Sequence, residues 1–194
     1  MGAWYQINLD RFLKVNRESI VGDLARYAGD RNLPPNPETQ ESWRNTIDGL
    51  RVSSKAWIAQ NPKASDWTLL LEYEVPRRSR RIDGVLLAHD LIVLMEFKDG
   101  ATTYDRDARW QAEQYALDIR DFHSVSRNRK IVPFLVATAS ERSLGISDYS
   151  TNEQVCALGC VNFVGLTSGV INAYSKLAEP TSPPIDAKEW DHSP

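Results

Sequence analysis

Two apolar runs, residues 82–88 and 91–97, follow one another with only His89-Asp90 between them. Both are rich in branched residues and of strand length, so they predict paired strands joined by a tight turn. Three charged residues interrupt them: Asp83 near the start of the first run, and Glu96 and Lys98 near the end of the second. Side chains alternate along a strand, so Glu96 and Lys98 share a face, about 7 Å apart along the chain.

Charge in an otherwise apolar hairpin is costly unless it is paired or coordinated. One reading is a structural ion pair of Lys98 with Asp83 or Glu96. Another is a divalent-metal site, because two carboxylates on neighbouring strands offer the hard oxygen ligands that Mg²⁺ prefers while it keeps waters and takes a phosphate oxygen. Lys98 would then hold or polarise the attacking water. Residues 67–75 predict the preceding strand, whose alternation puts Glu72 and Glu74 on one face and Leu71, Tyr73 and Val75 on the other. Either glutamate could reach the Asp83 side, and Glu74 is kept as a candidate additional acid. Between that strand and Asp83 lie Arg77, Arg78, Arg80 and Arg81. Such a run is commonly a solvated hairpin tip, but its place beside Asp83 makes these arginines candidates for holding a nucleic-acid backbone.

At 194 residues, 42% hydrophobic and 25% charged, the chain suits one globular domain with its own core. Its net charge of −3 gives no global basic signal, so polyanion binding would need a local patch. The sequence has no apolar run of transmembrane length and no signal-peptide pattern at its start, which predicts a cytoplasmic protein with no membrane partner. Cys156 and Cys160 are too few for a four-thiolate site and read as reduced packing residues.

Residues 9–28 have mainly helical apolar spacing, with Asn16 a cap for a helix from Arg17. Residues 30–39 carry three prolines and read as a loop. Trp43, Ile47, Leu50, Ser54 and Trp57 then form the stripe of a second helix. After the hairpin, Thr102 or Thr103 can cap a helix running to about His123, with Asp105 and Asp107 at its positive end. Gln111 and Tyr115 lie four apart on one face of it. Residues 131–138 predict a strand buried on both faces, residues 155–166 one or two short strands, and residues 168–178 a short helix. The proline-rich residues 180–184 read as a linker, and the residues after them show no packing pattern.

Asp83 followed by Glu96-Phe97-Lys98 on the next strand resembles the PD-(D/E)xK nuclease superfamily, with Ile82 where its name has proline. Gln111 and Tyr115 resemble the additional Gln-x-x-x-Tyr motif of its RecB-like branch. The strings EYEVPRRSRRIDGVLL, MEFK, EQYALDIRDFH and IVPFLVAT look like the nuclease-like N-terminal domain of bacterial Schlafen-like superfamily-one helicase proteins, over roughly residues 40 to 190.

The resemblance implies an α/β fold with a restriction-endonuclease-like αβββαβ core, a mixed central sheet flanked by helices and an extra N-terminal helical segment. The expected divisions are residues 1–36 for that segment, 37–179 for the nuclease-like domain, and 180–194 for a linker toward a C-terminal ATPase or helicase module. The implied activity is a Mg²⁺- or Mn²⁺-dependent phosphodiesterase acting on DNA, with RNA an alternative substrate and a homodimer one arrangement. Asp83, Glu96 and the Phe97 carbonyl would hold the metal, Lys98 would act on water, and Gln111 and Tyr115 would line the site. A glutamate from the first helix completes the site in many relatives, which makes Glu41 and Glu18 candidates. The alternative to catalysis is a silent nuclease fold that binds nucleic acid or regulates an attached helicase. A purely structural α/β domain is the third reading.

Overall fold

A computed structural model of the chain describes residues 2–75, 80–149 and 153–193. The described strands form one six-stranded mixed sheet whose spatial order follows the chain: β1 (Ala3–Asn8), β2 (Thr68–Glu74), β3 (Arg81–Ala88), β4 (Leu91–Lys98), β5 (Lys130–Ala137) and β6 (Gly159–Val161). Strands β1 to β4 pair antiparallel, and β5 and β6 continue the sheet in parallel. Helices α1 (Leu9–Lys14), α2 (Arg17–Gly29), α3 (Pro37–Gln60) and α5 (Phe163–Leu177) pack on one face. Helix α4 (Arg106–Phe122) and the short α6 (Ala187–His192) pack on the other. The expected mixed α/β architecture is present, and among the described residues no helix is long and apolar enough to cross a membrane.

The central hairpin turns at His89-Asp90 as its sequence predicts, with His89 at φ +62°. A turn this tight matches the twist of its strands only with left-handed backbone. The stripe of α3 is buried through Trp43, Ile47, Leu50 and Trp57, and this helix lies across the sheet. Its start is earlier than the proline-rich loop suggested, because Asn36 accepts the Thr39 N–H and Pro37 occupies the first turn, where its missing N–H costs nothing. Asn16 caps α2 as expected. The cap of α4 is Asp105, not Thr102 or Thr103: its carboxylate accepts the Ala108 N–H and adds negative charge at the positive helix end. Cys156 and Cys160 are buried free thiols.

Two expectations need correction. Residues 1–36 are not wholly helical, since Ala3–Asn8 adds an edge strand to β2. Six residues of broken alternation gave too little periodicity to show it. Nor are residues 180–194 a bare linker. Trp190 is fully buried, its ring centroid 4.7 Å from that of Tyr73 and 4.3 Å from that of His123. Its indole N–H donates to Ser126 Oγ at 2.9 Å, and Asp191 accepts the Ala3 N–H at 2.6 Å. The hairpin tip joins this arrangement, because the His89 carbonyl accepts the Ile185 N–H. One aromatic anchor on a six-residue helix is too short a pattern to read from periodicity.

Trp190→Ala is expected to lower the unfolding free energy by about 3–5 kcal/mol. Urea denaturation followed by circular dichroism measures it. A loss well under about 1 kcal/mol would mean that this segment is not integral to the core.

Candidate active site

The ladder between β3 and β4 ends at Gly84 opposite Met95. Beyond it β3 continues with β2 to Arg81, and β4 continues with β5 to Lys98. The two central strands therefore part at their charged ends. The Phe97 N–H, which has no strand partner on that side, donates instead to Asp83 Oδ2 at 2.8 Å. A carboxylate has taken the place of a backbone acceptor.

From Glu96 a chain of side-chain hydrogen bonds runs to α4. The Asp83 carboxyl lies beside Glu96, near enough for the two to shift each other's ionisation. Lys98 Nζ donates to Glu96 Oε1 at 3.0 Å and to Gln111 Oε1 at 3.2 Å, and Gln111 Nε2 donates to the Tyr115 hydroxyl at 2.7 Å. The structure thus brings together Asp83, Glu96, Lys98, Gln111 and Tyr115. Period-two alternation puts Glu96 and Lys98 on the α4 side, and the four-residue helical step puts Gln111 and Tyr115 opposite them.

On the α3 side of the same gap lies a cleft of about 320 Å³, lined by Glu38, Thr39 and Trp43 of α3 and by Glu72, Arg81 and Asp83 of the sheet. Glu72 is the residue that sequence reasoning undervalued. It is buried, takes the Trp43 indole N–H at 2.7 Å and pairs with Arg81. Its backbone is left-handed, φ +55°, which reverses the alternation of β2: Leu71 packs toward α3 together with Glu72, whereas Tyr73 and Val75 pack toward α4. This corrects the expected grouping of Leu71 with Tyr73 and Val75. The only sequence signal was an acid, Glu72, inside an apolar run, and the reversal itself left none.

The other candidate acids lie elsewhere, and none lines the cleft. Glu74 pairs with Arg31 at 3.1 Å and accepts the Trp4 indole N–H, and both Glu41 and Glu18 are engaged by Arg44. Glu38, one turn before Glu41, takes the position at the cleft. In the sequence it lies within the proline-rich stretch 30–39 that reads as a loop, so nothing marks it. Among the arginines, Arg81 turns inward to Glu72 and over the Trp4 ring, 4.2 Å from its centroid. Arg80 is exposed, and Arg77 and Arg78 lie outside the described residues.

Burial sets the electrostatics. The Glu96 carboxyl is pushed up to about 8, first by burial and then by the nearby Asp83 charge, against the pull of Lys98. Glu72 is pushed up to about 7, again by burial and then Asp83, with Arg81 and Trp43 opposing. Asp83 is also raised by burial, although the Phe97 N–H, Lys98 and Arg81 favour its charged form. Three acids sharing one buried space cannot all ionise near neutral pH without added positive charge.

Glu96 Oε2 is buried and receives no protein donor. An oxygen left bare beside a second carboxyl suits a cation, which would take the place of protons held by the raised carboxyls. Among the described residues no group of three or more His, Cys, Asp or Glu side chains is arranged to hold a metal ion. The donor set that fits is a pair of carboxylates, the number Mg²⁺ commonly takes when water and phosphate supply its other ligands. Transition-metal chemistry built on His or Cys ligands has no support at this site.

No protein-family model matches the sequence, and no curated protein matches it.

The raised carboxyls predict how stability depends on pH. In the metal-free protein, Glu72 and Glu96 keep their protons to about 7 and 8, whereas the unfolded chain loses them near 4.5. The folded state binds more protons across that window, so their stabilisation is complete below it and is lost as pH rises toward about 8. Thermal melts in EDTA should show this fall, and Glu96→Gln should flatten it. A native profile as flat as that of the variant would contradict the assignment.

Proposed function

We propose that this chain is a divalent-metal-dependent nuclease that hydrolyses phosphodiester bonds in DNA. The observation that carries the reading is the hydrogen-bonded chain from Glu96 through Lys98 and Gln111 to Tyr115, with the Asp83 carboxyl beside Glu96. Support comes also from the succession α3, β2, β3, β4, α4, β5, which follows the αβββαβ order of the restriction-endonuclease-like core. The residues carrying the likeness to the PD-(D/E)xK superfamily and its RecB-like branch are those that meet at the parted strands.

In this reading Asp83 and Glu96 hold Mg²⁺ or Mn²⁺, with the Phe97 carbonyl a further ligand. The bound ion supplies Lewis-acid stabilisation of the phosphate and a water of lowered pKa. Lys98 is held from two sides, by Glu96 and Gln111, and its remaining donor capacity serves to orient water and offset charge developing on phosphate oxygens. Gln111 and Tyr115 act through Lys98: the hydroxyl fixes the amide, and the amide fixes the ammonium. Glu72 holds Arg81 at the mouth of the cleft, where the guanidinium can engage a phosphate bidentately. The longer sequence strings support a place ahead of a helicase-type ATPase in a larger protein.

A second reading, a silent nuclease fold that only binds nucleic acid, is favoured by one observation: Lys98 already has two protein partners.

Incubation with labelled single- and double-stranded DNA in Mg²⁺ or Mn²⁺ tests the proposal. Cleavage should vanish in EDTA, and Lys98→Ala should slow it by about 100-fold or more. Unchanged cleavage by Lys98→Ala removes the assignment. DNA binding that weakens with salt, persists without metal and yields no products selects the second reading.

A further inference from the structure

The chain has six tryptophans. Five of them, Trp4, Trp43, Trp57, Trp67 and Trp190, are at most 7% exposed, whereas Trp110 on α4 is 54% exposed. A large aromatic left in water forfeits the burial that makes it useful in a core. Trp110 precedes Gln111, the residue that holds Lys98. The Arg80 guanidinium lies 5.6 Å from the centre of its ring. Arg81, the next residue, pairs with Glu72 on the other side of the parted strands. The Arg80-Arg81 step therefore spans the distance from the indole to the acid cluster. Arg106 and Arg109, both exposed, project from the same two turns of α4, Arg106 one turn before Trp110 on the same face, so that with Arg80 they outnumber the exposed acids Asp107 and Glu113 beside it.

We propose that Trp110 is a stacking platform for an unpaired base, and that the site therefore receives single-stranded nucleic acid. The inference rests on the nuclease reading only for the position of the scissile phosphate. An indole face accepts any base, and arginines around it accept the flanking phosphates, the combination used to bind single strands without regard to sequence. In a duplex the base faces are already stacked on one another and are not offered to a side chain. Because the chain as a whole is anionic, at −3, the attraction must come from this local cluster and should weaken steeply with salt. Arg80 over the indole also adds a cation–π contact that prepares the ring's orientation before the strand arrives.

The test is equilibrium binding in EDTA, where no metal-dependent cleavage occurs, read by tryptophan emission. The probes are a short oligothymidylate, an abasic deoxyribose-phosphate chain of equal length, and a duplex. Five tryptophans are shielded, so stacking on Trp110 should dominate the quenching. Oligothymidylate should quench the native protein and bind more tightly than the abasic chain or the duplex. Trp110→Ala should lose the quenching and bind oligothymidylate about tenfold more weakly, while its affinity for the abasic chain stays the same. Trp110→Tyr should keep most of the affinity. Unaltered binding by Trp110→Ala, equal affinity for the abasic chain, preference for duplex, or no binding by the native protein would each overturn the proposal. Cleavage that fails while this binding pattern holds would count against the nuclease reading alone, and intact cleavage with unaltered Trp110→Ala binding would count against the stacking site alone.

Discussion

The site depends on the separation of β3 from β4 beyond the Gly84–Met95 pair. Continuous pairing would have filled the space with backbone hydrogen bonds and turned Asp83 toward a helix layer. Instead the gap exposes one backbone donor, the Phe97 N–H, to a side-chain acceptor. That single replacement fixes the Asp83 carboxyl in the plane of the sheet, between the two faces. From there it neighbours Glu96 toward α4 and borders the cleft beside Glu72 toward α3. The residues on the two faces of the sheet act as one cluster because of it.

The left-handed backbone of Glu72 belongs to the same arrangement. A non-glycine residue in this region costs about 1–2 kcal/mol, and such strain persists only where surrounding contacts over-determine it. Here the Trp43 indole and Arg81 hold the carboxylate. Ordinary extended geometry would send Glu72 to the α4 face, near Ile82 and Tyr115, and Tyr73 to the α3 face. The strain places an acid at the cleft and lets Tyr73 reach the Trp190 cluster on the opposite face.

What could be read from the sequence follows from the range of each signal. The hairpin, the stripe of α3 and the Gln111–Tyr115 step are set by local periodicity, and each takes the predicted form in the structure. The nearness of Asp83 to Glu96, and the contact of Lys98 with Gln111, needed only the right element order to follow from those local patterns. Three features lay beyond that range. The edge strand Ala3–Asn8 is held by its neighbour β2 more than by its own pattern. The reversal at Glu72 depends on a single dihedral angle that no residue type announces, since glutamate is not a left-handed former. The packing of Trp190 depends on Tyr73 and His123, both far away in sequence. The exposure of Trp110, by contrast, follows from helical spacing alone, because a stripe of Ala108, Ala112, Tyr115 and Ile119 leaves position 110 off the packed face.

Charge balance connects the buried acids to the proposed substrate. Glu72, Asp83 and Glu96 contribute three negative charges when ionised, against two positive charges from Arg81 and Lys98. Left to itself the cluster is anionic, and it relieves this by holding protons, as the upward displacement of all three carboxyls shows. An anionic cluster would repel a phosphodiester, and a protonated one has little to offer it. A divalent ion would bring the sum of the fully ionised cluster from minus one to plus one without any protons, with the charge concentrated where β3 and β4 part. The same ion would lower the carboxyl pKa values and so make its own ligands. The burial that looks wasteful for a structural ion pair is then what keeps the cluster receptive: the acids are too desolvated to stay charged alone, and too close together to be satisfied by Lys98 and Arg81.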